Sequence, residues 1–360
     1  MTATTDPTDA AQPTPEQVAA EAPHAIEIHP ERTDLPLLVV PSLYPDMVEP
    51  LEQAAAALDG IARVRLYTDA CDGAQFVRRA EPADALIVIN VHLDDAMLRA
   101  IAKRTRVIAF GGTGVASYVD FALATELDVR VCNVRHYGDN AVAEFTFALM
   151  LELARHVGEL DRQVLGGGWE GLPGEELSGK TLAIVGLGGI GRTVACIANA
   201  FGMRVTAWDS GRHDAAYYAD LGVTPVKDMR ALFAGADVVS FHMPLNPATR
   251  GMVTLADLDA IRPGAMLINT ARAEIIAPGA LVERLERGDI AAGLDVFDDE
   301  PLLMDSPLRT MRHVVLTPHT GWRADGANRD LLGQCVRAVA SYFQGGTYNV
   351  VVDGAKGVVK

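Results

Sequence analysis

The chain lacks several features that would narrow its class at once. Its 360 residues contain no run of 18 apolar residues, so no membrane-spanning helix is expected. No basic segment followed by an apolar one opens the N-terminus, so no secretory signal is expected either. Cysteine is scarce: Cys71, Cys132, Cys196 and Cys335 are scattered, with no C-x-x-C pair and no histidine at ligand spacing. That disfavours a disulfide framework and a metal site, and the four read as buried, reduced thiols of a cytoplasmic protein. Positive charge is short too, with 31 Lys and Arg against 47 Asp and Glu and a net charge of −16. Nucleic acid and anionic membranes, which need a basic field, are therefore poor partners. A small anionic ligand remains compatible, but only through local cationic groups.

The content that is present, 49% hydrophobic and 22% charged, is that of a globular chain with ample core, and the length suggests two or three domains. Residues 1–33 carry Pro7, Pro13, Pro15, Pro23 and Pro30 without aromatic anchors and read as a disordered extension. From Leu35 the pattern changes. Strands are expected over 36–40, 61–67, 85–89, 107–110 and 129–132, with a helix over 47–58. A long helix follows over 141–157, then a loop with Gly166-Gly-Gly-Trp169. A second series of strands falls near 181–185, 204–208, 237–241, 265–269, 291–296 and 314–317, and a last helix over 323–343 returns to the first domain. Strands alternating with helices imply parallel sheets covered on both faces. Their order predicts two α/β domains with a cleft between them, where small ligands bind.

One stretch organises the rest. The apolar run Thr181 to Val185 stops at Gly186, and Gly188 and Gly191 follow at the G-x-G-x-x-G spacing before a helical segment over 193–201. Gly186 permits a tight turn, Gly188 lets backbone approach a phosphate, and Gly191 lets helix and strand pack closely. Asp209 ends the next strand 18 residues after Gly191, where an acidic residue accepts hydrogen bonds from ribose hydroxyls. A carboxylate there repels a 2′-phosphate, which favours NAD over NADP; Arg212 nearby weakens that discrimination.

Three further stretches lie at strand ends, the edge at which open α/β sheets bind ligands. Ala265-Met-Leu-Ile-Asn-Thr-Ala-Arg272 places an arginine suited to a two-pronged pair with a carboxylate. Ala292-Gly-Leu-Asp-Val-Phe-Asp-Asp-Glu-Pro301 carries Asp295 and Glu300. Val314-Val-Leu-Thr-Pro-His319 carries a histidine, the side chain suited to exchanging a proton near neutral pH. Taken singly, each has an ordinary reading as a surface salt bridge, a solvated loop or a structural histidine.

Together they resemble the D-isomer-specific 2-hydroxyacid dehydrogenase family. The matching signatures are Val185-Gly-Leu-Gly-Gly-Ile-Gly191, Pro244-Leu-Asn-Pro-Ala-Thr-Arg-Gly251, Ile268-Asn-Thr-Ala-Arg272, Gly293-Leu-Asp-Val-Phe297 with Glu300-Pro301, and Thr317-Pro-His319. The resemblance implies a flavodoxin-like substrate domain over 34–136 plus 324–360, an inserted Rossmann NAD-binding domain over 137–323, and an active site in the interdomain cleft. It implies an NAD-dependent exchange between a D-2-hydroxy acid and a 2-oxo acid. His319 would move the proton, Glu300 would hydrogen-bond it and favour its charged form, and Arg272 would bind the substrate carboxylate and carbonyl. The backbone of Gly189 and Ile190 would meet the pyrophosphate, and His242, Pro244 and Thr249 would lie near the cofactor. Thr270, Ala271 and Asp295 would lie near the nicotinamide. The long helix implies a homodimer contact, alongside its plain reading as a helix buried between domains.

The match weakens in the first domain. The segment Ile89-Asn90-Val91-His92 replaces a frequent Arg-Ser pair, the loop after Gly114 departs from the glycine-aspartate-asparagine form, and Ala273 replaces a glycine. These departures imply a different substrate pocket, with Asn90, Val91, His92 and Gly114 as candidate contacts; His92 reads equally as a solvated loop residue. Two alternatives stand beside the dehydrogenase reading: an NAD-responsive binding protein like the related transcriptional corepressors, and oxidation of a phosphite- or phosphonate-type acid. Formate dehydrogenase is disfavoured, since it carries glutamine where this chain has Glu300.

Overall fold

The computed structural model describes residues 25–211 and 213–359. Fourteen strands occur among them, in chain order β1 (Ala25–Ile28), β2 (Leu37–Val40), β3 (Arg63–Tyr67), β4 (Ala85–Val88), β5 (Val107–Phe110), β6 (Arg130–Cys132), β7 (Thr181–Val185), β8 (Arg204–Trp208), β9 (Val223–Pro225), β10 (Val238–Phe241), β11 (Met266–Asn269), β12 (Ala291–Leu294), β13 (Val314–Leu316) and β14 (Val350–Asp353). They form two sheets in two compact units, one reaching to Arg135 and resuming at Asn328, the other spanning His136–Ala327.

The first sheet runs β1-β3-β2-β4-β5-β6-β14, parallel from β3 to β6 and closed by an antiparallel strand at each edge. The second runs β13-β12-β11-β10-β7-β8-β9 and is parallel throughout. Strands β2, β4, β5, β7, β10 and β11 are buried at every position, because helices cover both faces; that is why they read as unbroken apolar runs. In the second sheet the order reverses between β7 and β10, which is the doubly wound dinucleotide-binding order expected from the family resemblance.

Some of the acidic surplus has a local use. Asp72, Asp94, Asp120, Asp214 and Asp228 each cap a helix, accepting a backbone N–H from Gln75, Met97, Leu123, Tyr217 and Ala231. Such caps satisfy donors that the helix cannot, at about 1 kcal/mol each, and the negative charge complements the helix N-terminus.

Three expectations need correction. Residues 1–33 were expected to be disordered throughout; residues 1–24 lie outside the described ones, but Ala25–Ile28 pairs antiparallel with β3, and Glu27 accepts a hydrogen bond from Arg65 at 2.5 Å. Ladder bonds and this ion pair compensate for the little apolar surface the segment can bury. Between the long helix and the 166–169 loop, which is non-helical as expected, lies a further helix over Val157–Leu165. The thiols are not all buried: Cys132 and Cys335 are, Cys71 is half-buried, and Cys196 is exposed. The helix Gly189–Ala200 turns Val194, Ala195 and Ala198 inward, which leaves Cys196 on its outer face. Among the described residues no helix is long and apolar enough to cross a membrane.

The last helix, Asp325–Phe343, is tied to the exit of β6 by Gln334, whose amide accepts from Arg135 N–H at 3.0 Å and donates to Arg135 carbonyl at 2.9 Å. Beyond it, β14 is held by Asp353, which accepts from Arg130 Nε at 2.8 Å and from Lys356 Nζ at 3.0 Å. The Lys356 hydrogen bond, opposed by burial and joined by the Arg130 hydrogen bond and charge, keeps the Asp353 carboxyl below its usual range. Stability from a carboxylate lowered in this way is present above about pH 4 and is lost as pH falls through the folded-state value. The protection of Val350–Asp353 amides, as exchange relative to the intrinsic rate at the same pH, should therefore fall in acid for the wild type, and already at neutral pH in Arg130→Met.

Candidate active site

The switch point between β7 and β10 carries the glycine turn. Gly186 leaves β7 at a φ of +103°, a conformation that L side chains rarely adopt, and a Cβ there would press on the His242 carbonyl oxygen at 2.8 Å. Around the corresponding position of Gly188 nothing lies within 4 Å, which leaves room for a phosphate beside bare backbone. A Cβ on Gly191 would overlap the Gly186 carbonyl oxygen, so strand and helix meet at backbone contact. Gly189 and Ile190 open the helix Gly189–Ala200, whose first amides have no intrahelical acceptor and suit an anion.

Around this turn, His242 is buried, with Nε2 at 2.8 Å from Ser240 Oγ, and burial pushes its pKa down to about 3, which keeps the ring neutral. The exposed Pro244 starts a loop closed by Thr249, whose hydroxyl donates to Pro244 carbonyl at 2.7 Å and accepts from Asn246 N–H at 2.9 Å. Asp209 follows β8 directly, and its Oδ1 accepts from Gly211 N–H at 2.8 Å and from Tyr218 O–H at 2.7 Å. Its Oδ2 is buried without a hydrogen-bond partner. A bare amide turn for phosphate and a carboxylate oxygen in need of a donor fit the pyrophosphate and the adenosine ribose of a dinucleotide. Arg212 lies outside the described residues.

The other three stretches meet at the carboxyl ends of β11, β12 and β13. Thr270 is buried against Thr146 of the long helix Asp139–Arg155, hydroxyl to hydroxyl at 3.1 Å. Asn269 shapes the next turn, accepting from Ala271 N–H at 3.0 Å and donating to Arg272 carbonyl at 3.1 Å. The Arg272 guanidinium donates only to its neighbour's carbonyl, Ala271 O, at 2.7 Å; among the described residues it has no ion-pair partner. Glu300 Oε2 lies 2.7 Å from His319 Nδ1, and Oε1 accepts from Phe297 N–H at 3.0 Å. Burial opposes ionisation of Glu300, but the His319 hydrogen bond and charge, the Phe297 amide and the Arg272 charge prevail and hold its pKa below the ordinary value. The Nε2 atom of His319 makes no hydrogen bond among the described residues.

His319 itself sits at a φ of +49°, uncommon for a residue with a Cβ, so something must fix the loop that carries it. Asp295 does this. Its Oδ1 accepts from Thr317 O–H at 2.7 Å and Thr320 N–H at 2.9 Å, and its Oδ2 from Gly321 N–H at 2.9 Å. Burial raises the Asp295 pKa, and those hydrogen bonds with the His319 charge offset it only in part. The four candidates in the other unit, Asn90, Val91, His92 and Gly114, follow β4 and β5. Asn90, at a φ of +53°, accepts from Tyr118 O–H at 3.3 Å; Val91 is half-buried and His92 exposed.

Sequence reasoning missed Asn269, Thr317, Tyr217, Tyr218 and His213 as parts of these constellations. Asn269 and Thr317 stand inside quoted motifs and were within reach; nothing in Tyr217-Tyr218 or His213 distinguishes them from core or loop residues. Replacing Asp295 by Asn should leave one amide facing an N–H donor in the 317–321 loop. The expected result in steady-state kinetics is a fall in kcat of about tenfold or more, with NADH binding by fluorescence little changed. Gly191→Ala, by contrast, should abolish measurable NADH binding, since its Cβ displaces backbone.

Comparison with known proteins agrees with this geometry. The family model for the D-isomer specific 2-hydroxyacid dehydrogenase NAD binding domain matches residues 147–321. A hydroxypyruvate reductase of Blautia hydrogenotrophica is 32% identical over 71% of this chain and 82% of its own, and a glyoxylate reductase of Aeropyrum pernix is 38% identical over 67% and 74%. The solved structure of D-lactate dehydrogenase from Escherichia coli superposes with a TM-score of 0.78 at 27% identity, covering 88% of this chain and 99% of that one. The chain belongs to the D-isomer-specific 2-hydroxyacid dehydrogenases, and it is an NAD-dependent oxidoreductase of that family.

Proposed function

We propose that the chain interconverts a small 2-oxo acid and its D-2-hydroxy acid, with His319 as the general acid/base. The observation that carries this reading is the Glu300–His319 pair at 2.7 Å, which engages Nδ1 and leaves Nε2 for the substrate oxygen. NAD, when bound, supplies or accepts the hydride at the substrate carbon. Arg272 holds the substrate carboxylate in a bidentate pair, for which its lack of a protein ion partner leaves it available. In reduction, His319 gives its proton to the carbonyl oxygen; in oxidation it takes the hydroxyl proton back. Glu300, bonded to Nδ1, orients the ring and fixes its tautomer. Asp209 takes the ribose, the Gly186–Gly191 turn the pyrophosphate, and Asn90, Val91, His92 and Gly114 belong to the loops that choose the substrate side chain. The named relatives point to acids of the size of glyoxylate and hydroxypyruvate.

We further propose a homodimer. The helix Val157–Leu165 buries no residue, and Leu165 and Trp169 are 79% and 88% exposed, with Val157, Val164 and Leu172 exposed beside them. Apolar surface on this scale calls for a cover, and a second copy of the chain supplies the same surface. Four free thiols suit the reducing cytoplasm, where we place the protein.

Three measurements test these readings. His319→Ala should lower kcat for glyoxylate or hydroxypyruvate reduction by at least about 10²-fold, and activity within a few-fold of wild type would overturn the assignment. Glu300→Gln replaces the carboxylate that meets His319 Nδ1, so kcat for reduction should fall by about tenfold or more while NADH binding stays little changed. Trp169→Glu with Leu165→Glu should shift the protein from dimer to monomer in light scattering.

A further inference from the structure

The ribose end of the cofactor site contains an arrangement that binding by Asp209 alone does not require. The Asp209 side chain is only 8% exposed. Its Oδ1 is saturated by two donors from different segments, the Gly211 amide at 2.8 Å and the Tyr218 hydroxyl at 2.7 Å. Its Oδ2 is equally buried and has none. Among the described residues, His213 Nε2 stands 3.8 Å from Oδ2, beyond hydrogen-bond reach. A buried carboxylate oxygen without a donor is costly, so the arrangement is stable as a site for a ligand that brings donors of its own.

We propose that Tyr218 is a positioning residue that sets the choice between NAD and NADP. The proposal rests on reading Asp209 as the ribose acceptor. With Gly211 alone, the carboxylate is free to turn about its Cβ–Cγ bond and share either oxygen. The second donor fixes it, with Oδ1 occupied and Oδ2 vacant. A vicinal diol gives two O–H donors to such an oxygen, whereas a 2′-phosphate gives a second negative charge and no donor. Burial and the Asp209 hydrogen bond push the Tyr218 phenol up to about 12, so it remains a donor throughout the working range. The adjoining wall is braced to the phosphate turn. His213 stacks flat on Tyr217, centroids 3.8 Å apart at 13°, and the Tyr217 hydroxyl donates to Leu187 carbonyl at 3.3 Å. The selecting group is thus held from the helix Ala215–Asp220, outside every motif that marks the cofactor site.

The test is Tyr218→Phe, which removes the hydroxyl and keeps the ring. Dissociation constants for NADH and NADPH are measured by fluorescence, alongside kcat and KM with glyoxylate. The NADH constant should rise about three- to tenfold, the NADPH constant should stay level or fall, and kcat at saturating NADH should stay within about twofold. Unchanged constants for both dinucleotides, or equal weakening of both, would overturn the proposal. Asp209→Asn separates it from its premise: if that variant keeps the wild-type preference, the ribose reading of Asp209 fails. If Asp209→Asn loses the preference while Tyr218→Phe keeps it, only the role of Tyr218 fails.

Discussion

Backbone contact between Gly191 and Gly186 is the constraint from which the cofactor half of the molecule follows. No side chain fits between the helix and the strand there, because any Cβ on Gly191 would occupy the Gly186 carbonyl oxygen. The helix Gly189–Ala200 therefore starts directly above the end of β7, with its unsatisfied amides at the point where the strand order reverses. On its other side β7 pairs with β10, which brings the His242 carbonyl against Gly186. Parallel pairing then carries β11, β12 and β13 outward in register, so that Arg272, Glu300 and His319 leave the sheet on the same edge.

A chain with net charge −16 that recognises anions has to do so locally. The phosphate end uses backbone amides and a helix terminus, which carry no net charge. Under the function proposed above, the substrate end uses Arg272, which has no carboxylate partner among the described residues. The acids nearby are each committed elsewhere: Asp295 to the 317–321 loop, Glu300 to His319, Asp209 to Tyr218 and Gly211. Commitment by hydrogen bonds lets Asp295 and Glu300 sit close to an anion site without closing it, because both oxygens of each accept protein donors, whereas Asp209 keeps Oδ2 without one. Burial alone would drive Glu300 towards its neutral form; the imidazole and the Phe297 amide reverse that.

How far the sequence disclosed this depends on range. Strands buried on both faces, such as Thr181–Val185 and Met266–Asn269, were visible because nothing polar is tolerated along them. The short edge strands Ala25–Ile28, Val223–Pro225 and Val350–Asp353 were not, since three or four residues partly open to solvent carry too little pattern, and Pro225 reads as a turn. The His319–Glu300 pairing was accessible through motif spacing. The burden on Asp295 was not, because its three donors come from a loop more than twenty residues away and two are backbone amides that any sequence supplies. Tyr218 was invisible for a similar reason: its hydroxyl matters only because the helix Ala215–Asp220 folds back on the end of β8.

Each unit holds one strained loop that carries a candidate site residue. His319 and Asn90 both adopt positive φ, one in each unit, and each is held by a side-chain contact made from a distant turn: Glu300 on His319, Tyr118 on Asn90. Positive φ aims a side chain in a direction that ordinary strand exits do not reach, at a cost that the supporting contact must meet. For His319 that support comes from residues shared with the family motifs, which ties the proton-handling end to one geometry. For Asn90 it comes from Tyr118, in a loop where this chain departs from the family pattern. The same physical device thus holds both loops, but at Asn90 the supporting residue lies outside the family motifs. Under the function proposed above, a change at Tyr118 therefore alters the 90–92 loop while leaving the Glu300–His319 pair intact.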